Sequence, residues 1–575
     1  IVPRRRRLGV PERVGADGSV VTPLDEEGAR HAIERLKRQD TESVAIVTLF
    51  SFKNPDHELR LAELVAEMIP DAQISLSHEI MPKASEFERT STTVLNAYVA
   101  PRVTAYLDRL QDRLGDVRLM IMQSTGGVMS RQYMRRRPIQ VLSSGPAGGV
   151  IGCAAVGVAK SELNLLCVDM GGTSYDVSLV RDGEAPSEPG WNWHHRYLCG
   201  LPMVTVTTVG AGGGSIAHVT SGVLQVGPES AGADPGPVCY GRGGTRPTVT
   251  DANLLLGLLS PDGVFAGGRF RLTTEGVAEA FREHVAQPMG HHDAERAALY
   301  VRRMVNANMS QAVRRLTAER GVDPVTLTML AYGGNGAVHA CVQAEDLGIR
   351  KVLVPKSSAT FSALGLLVAQ PLIDEERSYL VSAAEADLDW IAALWSELVQ
   401  RATGYFEQAG FSEDAVRHEY QLNFRYPGQN WSLAVIAAVE SSTTSPRIDE
   451  VGFAEAVEAF HALHEREHTY ARRDETPELT GDRALTSASV ATTKFGSGMP
   501  DERRLAERSG RRRACLADHF GDVDVFAGTA LAPGDQVNGP AIIEEAFTTI
   551  VVNDGWTATV DSAGDVLLDR NSMTG

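Results

Sequence analysis

Residues 165–180, with the sequence LLCVDMGGTSYDVSLV, constrain the fold of this chain more than any other segment. Two apolar runs of strand length flank a Gly-Gly-Thr-Ser tip, and this pattern predicts a β-hairpin. The glycines let backbone N–H groups approach a phosphate, the Thr173 and Ser174 hydroxyls add donors, and the Asp169 and Asp176 carboxylates can hold Mg²⁺ directly or through water. The alternative is an ordinary tight hairpin with polar residues at its tip.

A second glycine loop, Gly333-Gly334-Asn335-Gly336, lies between the strand-like TLTMLAY and a helix that we expect to begin near Ala337. Such a turn can present backbone donors and the helix N-terminus to an anion, or pack flat against a nucleotide base. A long amphipathic helix is predicted between the two glycine segments, from about Ala294 to Arg320. The two segments together indicate two halves of one nucleotide cleft.

The remaining chain indicates a multidomain α/β protein. Its 575 residues predict about three to five domains. Helical and strand-like patterns alternate from Glu26 onward, which is typical of α/β units. A shift in composition after about residue 380 predicts a separate α+β, β-rich C-terminal region over 381–575. We divide the chain before it into a first domain over 1–150 and a second domain over 151–380 that contains both glycine segments.

Charge and apolar patterning exclude several classes of protein. The net charge is −18, and the short arginine runs at 4–7, 135–137 and 511–513 are too small to favour nucleic-acid binding. No run of 18 apolar residues occurs, so we expect no membrane span. The six cysteines form no C-x-x-C pair, and together with the absence of a signal peptide this pattern predicts reduced thiols and a cytoplasmic location.

Several long segments resemble a known family. VDMGGTSYDVSLV is similar to the second phosphate hairpin of the actin, sugar kinase and heat-shock chaperone ATPase superfamily. Further segments resemble the hydantoinase A and 5-oxoprolinase family, with its relatives in acetone and acetophenone carboxylases. The resemblance spans nearly the whole chain, and the segments that carry it are SHEIMPKASEFERTSTTVLNAYVAP, MQSTGGVMS, LSSGPAGGVIGC, GPESAGADPGPVCYGRGGTRPTVTDANLLLG, SATFSALGLLVA, GPAIIEE and GWTATVD.

This resemblance implies an α/β protein with an actin-like ATPase fold and an additional C-terminal β-rich region. It implies ATP and Mg²⁺ as cofactors, and a hetero-oligomer with a hydantoinase B-like partner subunit. Asp169 and Asp176 would be catalytic and would hold the metal. The residues that would bind the nucleotide are Gly171, Gly172, Thr173, Ser174, Gly333, Gly334, Asn335 and Gly336.

The chemistry implied by the family is phosphorylation of a carbonyl oxygen by ATP. We expect the chain to act in the ATP-dependent hydrolysis of a cyclic amide, with ketone carboxylation as the alternative in the same fold. The loop reads Gly-Gly-Asn-Gly-Ala, whereas the hydantoinase version reads Gly-Gly-Ala-Gly-Pro, so both branches stay open. A non-catalytic actin-like scaffold is the alternative of another class.

The superfamily also has an N-terminal Asp-x-Gly-Gly-Thr hairpin, and residues 1–150 contain none. The nearest glycine pair, STGGV at 124–128, lacks the aspartate. Because the chain also begins with Ile1, the motif order predicts an N-terminally incomplete copy of a longer subunit.

Other polar residues have two readings each. Asp234 and Asp251 can orient Mg²⁺ or substrate, or cap local turns and helices. His339 can contact phosphate or make a structural hydrogen bond. His461, His464 and His468 share one helical face, which can hold a metal or belong to an ordinary amphipathic helix. A last group, which can line a substrate pocket or a solvent-facing loop, comprises Trp191, Trp193, His194 and His195.

Overall fold

The computed structural model describes residues 1–192, 197–263, 270–442, 445–490, 495–496, 498–500, 502–516 and 518–571, with only the backbone described for 189–192 and 440–442. The fold is mixed α/β, as predicted. It divides into two compact units, each discontinuous in sequence. Unit 1 comprises Ile1–Ser144, Ser187–Met203 and Ala369–Ala491, and unit 2 comprises Gly145–Pro186, Val204–Val368 and Thr492–Gly575. The three regions predicted along the sequence remain a prediction.

The α-helices of the described chain are α1 (Glu26–Lys37), α2 (Asp56–Met68), α3 (Ser77–Ile80), α4 (Glu86–Leu114), α5 (Arg131–Arg136), α6 (Ser144–Lys160), α7 (Val249–Leu255), α8 (Val277–Phe281), α9 (Ala294–Glu319), α10 (Gly336–Leu347), α11 (Phe361–Val368), α12 (Leu388–Gln408) and α13 (Glu450–His468).

Its strands are β1 (Arg13–Val14), β2 (Val20–Thr22), β3 (Ser43–Ile46), β4 (Gln73–Leu76), β5 (Met120–Met122), β6 (Val128–Ser130), β7 (Leu165–Met170), β8 (Tyr175–Val180), β9 (Ser187–Asn192), β10 (Tyr197–Val204), β11 (Thr207–Val209), β12 (Ser215–Thr220), β13 (Val223–Ser230), β14 (Thr328–Tyr332), β15 (Lys351–Val354), β16 (Leu372–Ser382), β17 (Val416–Arg425), β18 (Leu433–Ile436), β19 (Glu440–Ser442), β20 (Ser445–Arg447), β21 (Glu478–Ala488), β22 (Arg504–Leu505), β23 (Gly510–Ala514), β24 (Gly521–Ala527), β25 (Asp535–Asn538), β26 (Ala541–Glu544), β27 (Thr549–Val552), β28 (Trp556–Val560) and β29 (Val566–Arg570).

Unit 1 contains a small parallel pair and a larger antiparallel sheet. Strands β3 and β4 pair in parallel and pack with α1 and α2, in agreement with the alternation of helical and strand-like patterns predicted from Glu26 onward. The Asp25 side chain caps α1 by accepting from the Gly28 N–H at 2.9 Å. The antiparallel sheet has the order β16-β21-β17-β18 and packs with α12 and α13 around Trp395, Phe424 and Phe460. The segment after residue 380 therefore contains two long helices besides its strands.

Unit 2 is built on a mixed sheet with the strand order β11-β8-β7-β14-β15-β29-β28-β25-β22. The predicted hairpin is confirmed as β7 and β8, and the predicted long helix is confirmed as α9. Three strands near the middle, β7, β14 and β15, run parallel to one another and are almost completely buried. Strands buried on both faces read as continuous apolar runs, which is why LLCV and TMLAY were recognisable in the sequence.

Two global predictions concern cysteines and membranes. The six cysteines, all within the described residues, are buried thiols. Among the helices of the described chain, none combines the length and the apolar character that crossing a membrane requires.

Candidate functional site

The hairpin β7–β8 places two carboxylates opposite each other near its turn. Asp169 pairs with Asp176 in the antiparallel register, one position before the tip pair Met170 and Tyr175. Directly opposed residues project from the same face of a sheet, so the two side chains lie on one side of the hairpin. Both acids predicted from the sequence are therefore brought together at the base of the Gly-Gly-Thr-Ser tip.

Strand β14 brings the second glycine loop against this tip. It runs parallel to β7 with Tyr332 beside Asp169, so the loop that follows it meets the end of the hairpin. The Asn335 N–H donates to the Met170 carbonyl at 3.0 Å, and Asn335 Nδ2 donates to the Gly171 carbonyl at 3.3 Å. Gly333 has φ +80°, and a Cβ there would lie 2.3 Å from Asp169 Oδ1. Only glycine therefore fits at this position.

A third loop, Gly212–Gly214, completes the arrangement. Its glycine density predicts a loop whose backbone can meet a ligand, but its residues were not among those predicted to bind the nucleotide. The Gly213 and Gly214 N–H groups donate to the carbonyls of Gly171 and Gly172 at 3.0 and 2.6 Å. A Cβ on Gly212 would lie 2.6 Å from the Thr173 nitrogen. The density of glycine in residues 208–217 was the available signal, but its function is to let backbone pack against backbone. We call these three loops, 171–174, 212–214 and 333–336, the glycine junction.

The glycine junction leaves space on its outer side. A Cβ added to Gly171, Gly172 or Gly334 would meet nothing within 4 Å. Thr173 is exposed at the hairpin tip beside these glycines. Backbone groups bordered by open space and hydroxyl donors can approach an anionic ligand closely.

The two carboxylates are half-buried, and no basic side chain of the described chain forms a salt bridge with either one. Burial and the nearby Asp176 charge raise the pKa of Asp169 to about 6, against a weaker opposing effect from a hydrogen bond with Ser362. Burial also raises the pKa of Asp176, although a hydrogen bond with Thr208 opposes it. Within the described chain, Asp176 Oδ1 is buried and has no hydrogen-bond partner. Two ionised acids held this way are unfavourable until a positive charge joins them.

The two carboxylates fit Mg²⁺ as part of a coordination shell that water and phosphate oxygens complete. The described residues contain no group of three or more His, Cys, Asp or Glu side chains that could hold a metal by themselves. Mg²⁺ in proteins is commonly bound by one or two carboxylates together with water and substrate phosphates. A pair of acids with an orphaned oxygen, next to loops suited to phosphate, matches that pattern.

Asp251 and His339 support the junction from within the core. Asp251 forms a capping box with Thr248 at the start of α7 and also accepts from the Cys239 N–H at 2.7 Å. His339 is fully buried between Asn306 and Asn253, at 2.7 and 3.1 Å, and burial lowers its pKa to about 3. In the structure, Asp251 therefore caps a helix, and His339 makes structural hydrogen bonds. Asp234 is exposed in the glycine-rich and proline-rich segment.

The histidine face on α13 is part of an aromatic core. His461 Nδ1 is 2.6 Å from the Tyr426 hydroxyl, His464 Nδ1 donates to the Tyr470 carbonyl at 2.7 Å, and Trp431 packs on His464 and His468. The two buried imidazoles therefore have hydrogen-bond partners, as in an ordinary helix face. The cluster Trp193, His194 and His195 lies outside the described residues, and so does the side chain of Trp191.

The fold and the site together define a mixed α/β protein in which three glycine loops meet beside a half-buried acidic pair. Family models match almost the whole chain: the hydantoinase/oxoprolinase N-terminal region over residues 1–69, hydantoinase/oxoprolinase over 89–375, and the hydantoinase/oxoprolinase C-terminal domain over 381–564.

Known proteins are similar over the same span. The chain is 35% identical to the caprolactamase subunit alpha of Pseudomonas jessenii, covering 98% of this chain and 81% of that protein. It is 30% identical to the acetophenone carboxylase gamma subunit of Aromatoleum aromaticum, covering 99% and 79%. The crystal structure of the ATP-dependent caprolactamase from Pseudomonas jessenii superposes with a TM-score of 0.82 at 34% identity, covering 99% and 83%. The chain belongs to the hydantoinase/oxoprolinase family.

Proposed function

We propose that unit 2 has an actin-like ATPase fold and that the chain is the ATP-binding subunit of a hetero-oligomeric enzyme. The antiparallel hairpin, the long helix α9 and the loop after β14 follow one another in the order that this fold implies. Similarity to a protein named as a caprolactamase subunit supports assembly with a second subunit, and we propose a hydantoinase B-like partner.

The observation that carries the proposal is the half-buried pair Asp169 and Asp176 at the glycine junction. We assign Mg²⁺ to these two carboxylates, where it would supply charge neutralisation for a bound polyphosphate. The backbone of Gly171 and Gly172, with Thr173 and Ser174, would hold the phosphates. Gly333, Gly334, Asn335 and Gly336 would border the adenosine.

The reaction we propose is ATP-dependent hydrolysis of a cyclic amide. An amide carbonyl is a poor electrophile, because nitrogen donates electron density to it. Attack of the carbonyl oxygen on the γ-phosphorus releases ADP and leaves an O-phosphorylated imidate. Water then adds at the activated carbon, and collapse of the adduct breaks the C–N bond, releases the amine and opens the ring. The acyl phosphate that remains is hydrolysed by a second water to carboxylate and phosphate. Binding that fixes oxygen and phosphorus in line supplies much of the rate enhancement.

Ketone carboxylation is the second candidate, because the chain is also 30% identical to an acetophenone carboxylase subunit over almost its full length. The same phosphorylation of a ketone enolate oxygen gives an enol phosphate, a latent carbon nucleophile for carbon dioxide. The higher identity to the caprolactamase subunit, 35%, favours the amide reaction.

A substrate comparison tests the proposal. The chain and its partner subunit are incubated with Mg·ATP and, in separate reactions, caprolactam, a hydantoin, 5-oxoproline, or a ketone with bicarbonate. We expect ADP formation and ring opening with at least one cyclic amide. ADP formation that depends on both ketone and bicarbonate would support the carboxylase instead, and no substrate-dependent ADP formation in any reaction would contradict both.

A further inference from the structure

A tight turn of the C-terminal segment reaches the glycine junction within unit 2. It joins β26 to β27, and the Glu545 N–H closes it by donating to the Thr548 carbonyl at 3.0 Å. Ala546 and Phe547 form the tip. We call residues 545–548 the β26–β27 turn.

Two anchors fix this turn beside the second glycine loop. At one end of β27, Thr548 Oγ1 donates to the Gly334 carbonyl at 3.1 Å. At the other end, Asn553 Nδ2 and Trp556 Nε1 both donate to Glu345 near the end of α10, at 3.0 and 2.8 Å. Strand β27 therefore runs along α10 in the same direction, and the β26–β27 turn lies at the end where the helix begins.

The tip of the turn carries a large aromatic side chain in the open. Phe547 is 57% exposed, although its neighbours Thr548 and Thr549 are buried. A single exposed apolar residue is common on a protein surface. This one stands next to Thr548, which is bonded to Gly334, and Gly334 borders open space. The residue that carries this exposed ring is therefore the chain neighbour of one that is bonded to the part of the junction proposed for the adenosine.

We propose that Phe547 stacks on the base of the bound nucleotide and forms one wall of its subsite. This inference rests on the proposed ATP site. A phenyl ring offers a flat apolar face at little cost in conformational entropy, and every nucleobase has a π-face that can stack on it. Phe547 then contributes affinity for a nucleoside triphosphate but none for an inorganic polyphosphate, which has no base.

The polar residues around the turn complete a rim for such a ligand. Glu545 is half-buried with its carboxylate against Gly528, and the charge of exposed Lys356 acts on it. A ring wall with a mixed polar rim is typical of small-molecule sites, in which apolar faces bind and a few polar groups orient. Stacking on Phe547 does not distinguish one base from another. Loss of the Phe547 ring should therefore weaken the binding of adenine and guanine nucleotides alike.

The experiment measures binding of two magnesium complexes to the full chain by calorimetry. The ligands are a non-hydrolysable ATP analogue and inorganic tripolyphosphate, and the variants are F547A, F547L and F547W. We expect F547A and F547L to weaken the ATP analogue about tenfold without changing tripolyphosphate affinity, and F547W to retain the affinity. Phe547→Leu keeps an apolar group and removes the ring, so it separates stacking from simple burial. The matched control is F87A, because Phe87 is 60% exposed on α4 in the other unit, and it should bind as the unaltered protein does.

The outcomes separate the inference from the function on which it rests. Tight binding of the ATP analogue by the unaltered chain and equally tight binding by F547A would overturn the stacking role and leave the ATP site standing. Equal weakening of both ligands would also overturn it, because the turn would then shape the phosphate loops. If the unaltered chain binds neither ligand, the proposed ATP site fails and the stacking role fails with it.

Discussion

The two units differ in whether an acid shielded from solvent is paired with a positive charge. In unit 1, the Glu375 side chain is 1% exposed and pairs with two guanidinium groups, Arg137 at 3.0 Å and Arg401. In unit 2, Asp169 and Asp176 face each other, and no salt bridge joins either one to a described basic side chain. Burial alone would lower the pKa of Arg137, but the Glu375 charge raises it above its ordinary value.

This difference distinguishes a structural acid from one that awaits a ligand. The Glu375 cluster is complete, so removing a member leaves an unpaired charge in the interior. The Asp169 and Asp176 pair lacks a cation, so removing a charge relieves repulsion. A buried acid whose loss stabilises the protein but stops its activity belongs to a functional site.

The largest effect on stability is expected at the complete cluster. Glu375→Ala leaves Arg137 buried and unpaired, and we expect the free energy of unfolding to fall by about 3–5 kcal/mol. Urea denaturation measures it. Glu67→Ala is the control, since Glu67 pairs with Arg30 on the surface, and its loss should change stability far less. Equal costs for the two variants would show that burial does not set the strength of these pairs.

The largest effect on activity is expected at the incomplete pair. Asp169→Asn and Asp176→Asn each remove a proposed metal ligand and keep the shape of the side chain. We expect ATP-dependent turnover to fall at least about 100-fold, measured as ADP release with the partner subunit present. Asp182→Asn changes an exposed acid on the turn after β8 and should retain turnover. Unchanged turnover in both site variants would refute the placement of the phosphate site.

The pH dependence of stability sharpens the contrast. The pKa of Asp169 rises from 3.8 to about 6 on folding, so the folded chain binds more protons than the unfolded chain between these values. Its contribution therefore lowers stability as pH rises from about 4 to 6. In metal-free protein, Asp169→Asn should raise the free energy of unfolding by about 3 kcal/mol at pH 7 and by much less at pH 4. A variant less stable than the unaltered chain at pH 7 would mean that Asp169 is already paired.

A smaller effect on stability is expected at Gly333, where the proposed adenosine loop packs against Asp169. Gly333→Ala puts a Cβ 2.3 Å from Asp169 Oδ1 and 2.5 Å from the Met170 carbonyl at a φ of +80°. We expect a loss of about 1–2 kcal/mol in the free energy of unfolding. Gly334→Ala is the matched control, since its Cβ meets open space. A loss of similar size in both variants would show that the clash with Asp169 is not the cause.

Sequence reasoning predicted the elements that carry local signals. The hairpin, α9, and the loop after β14 were predicted because continuous apolar runs end at glycines. Both acids of the site follow from their place beside the hairpin tip. The glycine density of residues 208–217 predicted a loop, but not its contact with the hairpin tip, because that contact joins residues about forty positions apart and glycine carries no chemical signature.

The β26–β27 turn was missed for a related reason. Phe547 lies more than 200 residues from Gly334 in the chain. The packing of β27 along α10 brings the β26–β27 turn to Gly334. The histidine face of α13 shows the opposite limit. Its spacing suits a metal, but Tyr426 and Tyr470, which bond His461 and His464, come from other segments. Helical spacing alone could not separate a metal site from an aromatic core.

The most direct test of the acidic pair is calorimetric titration of the unaltered chain and Asp176→Asn with a non-hydrolysable ATP analogue, with and without Mg²⁺. The account predicts that tight binding by the unaltered chain requires Mg²⁺ and that Asp176→Asn loses most of this Mg²⁺-dependent affinity. Equal affinity in all four titrations would contradict the claim that Asp169 and Asp176 hold the metal of a nucleotide site.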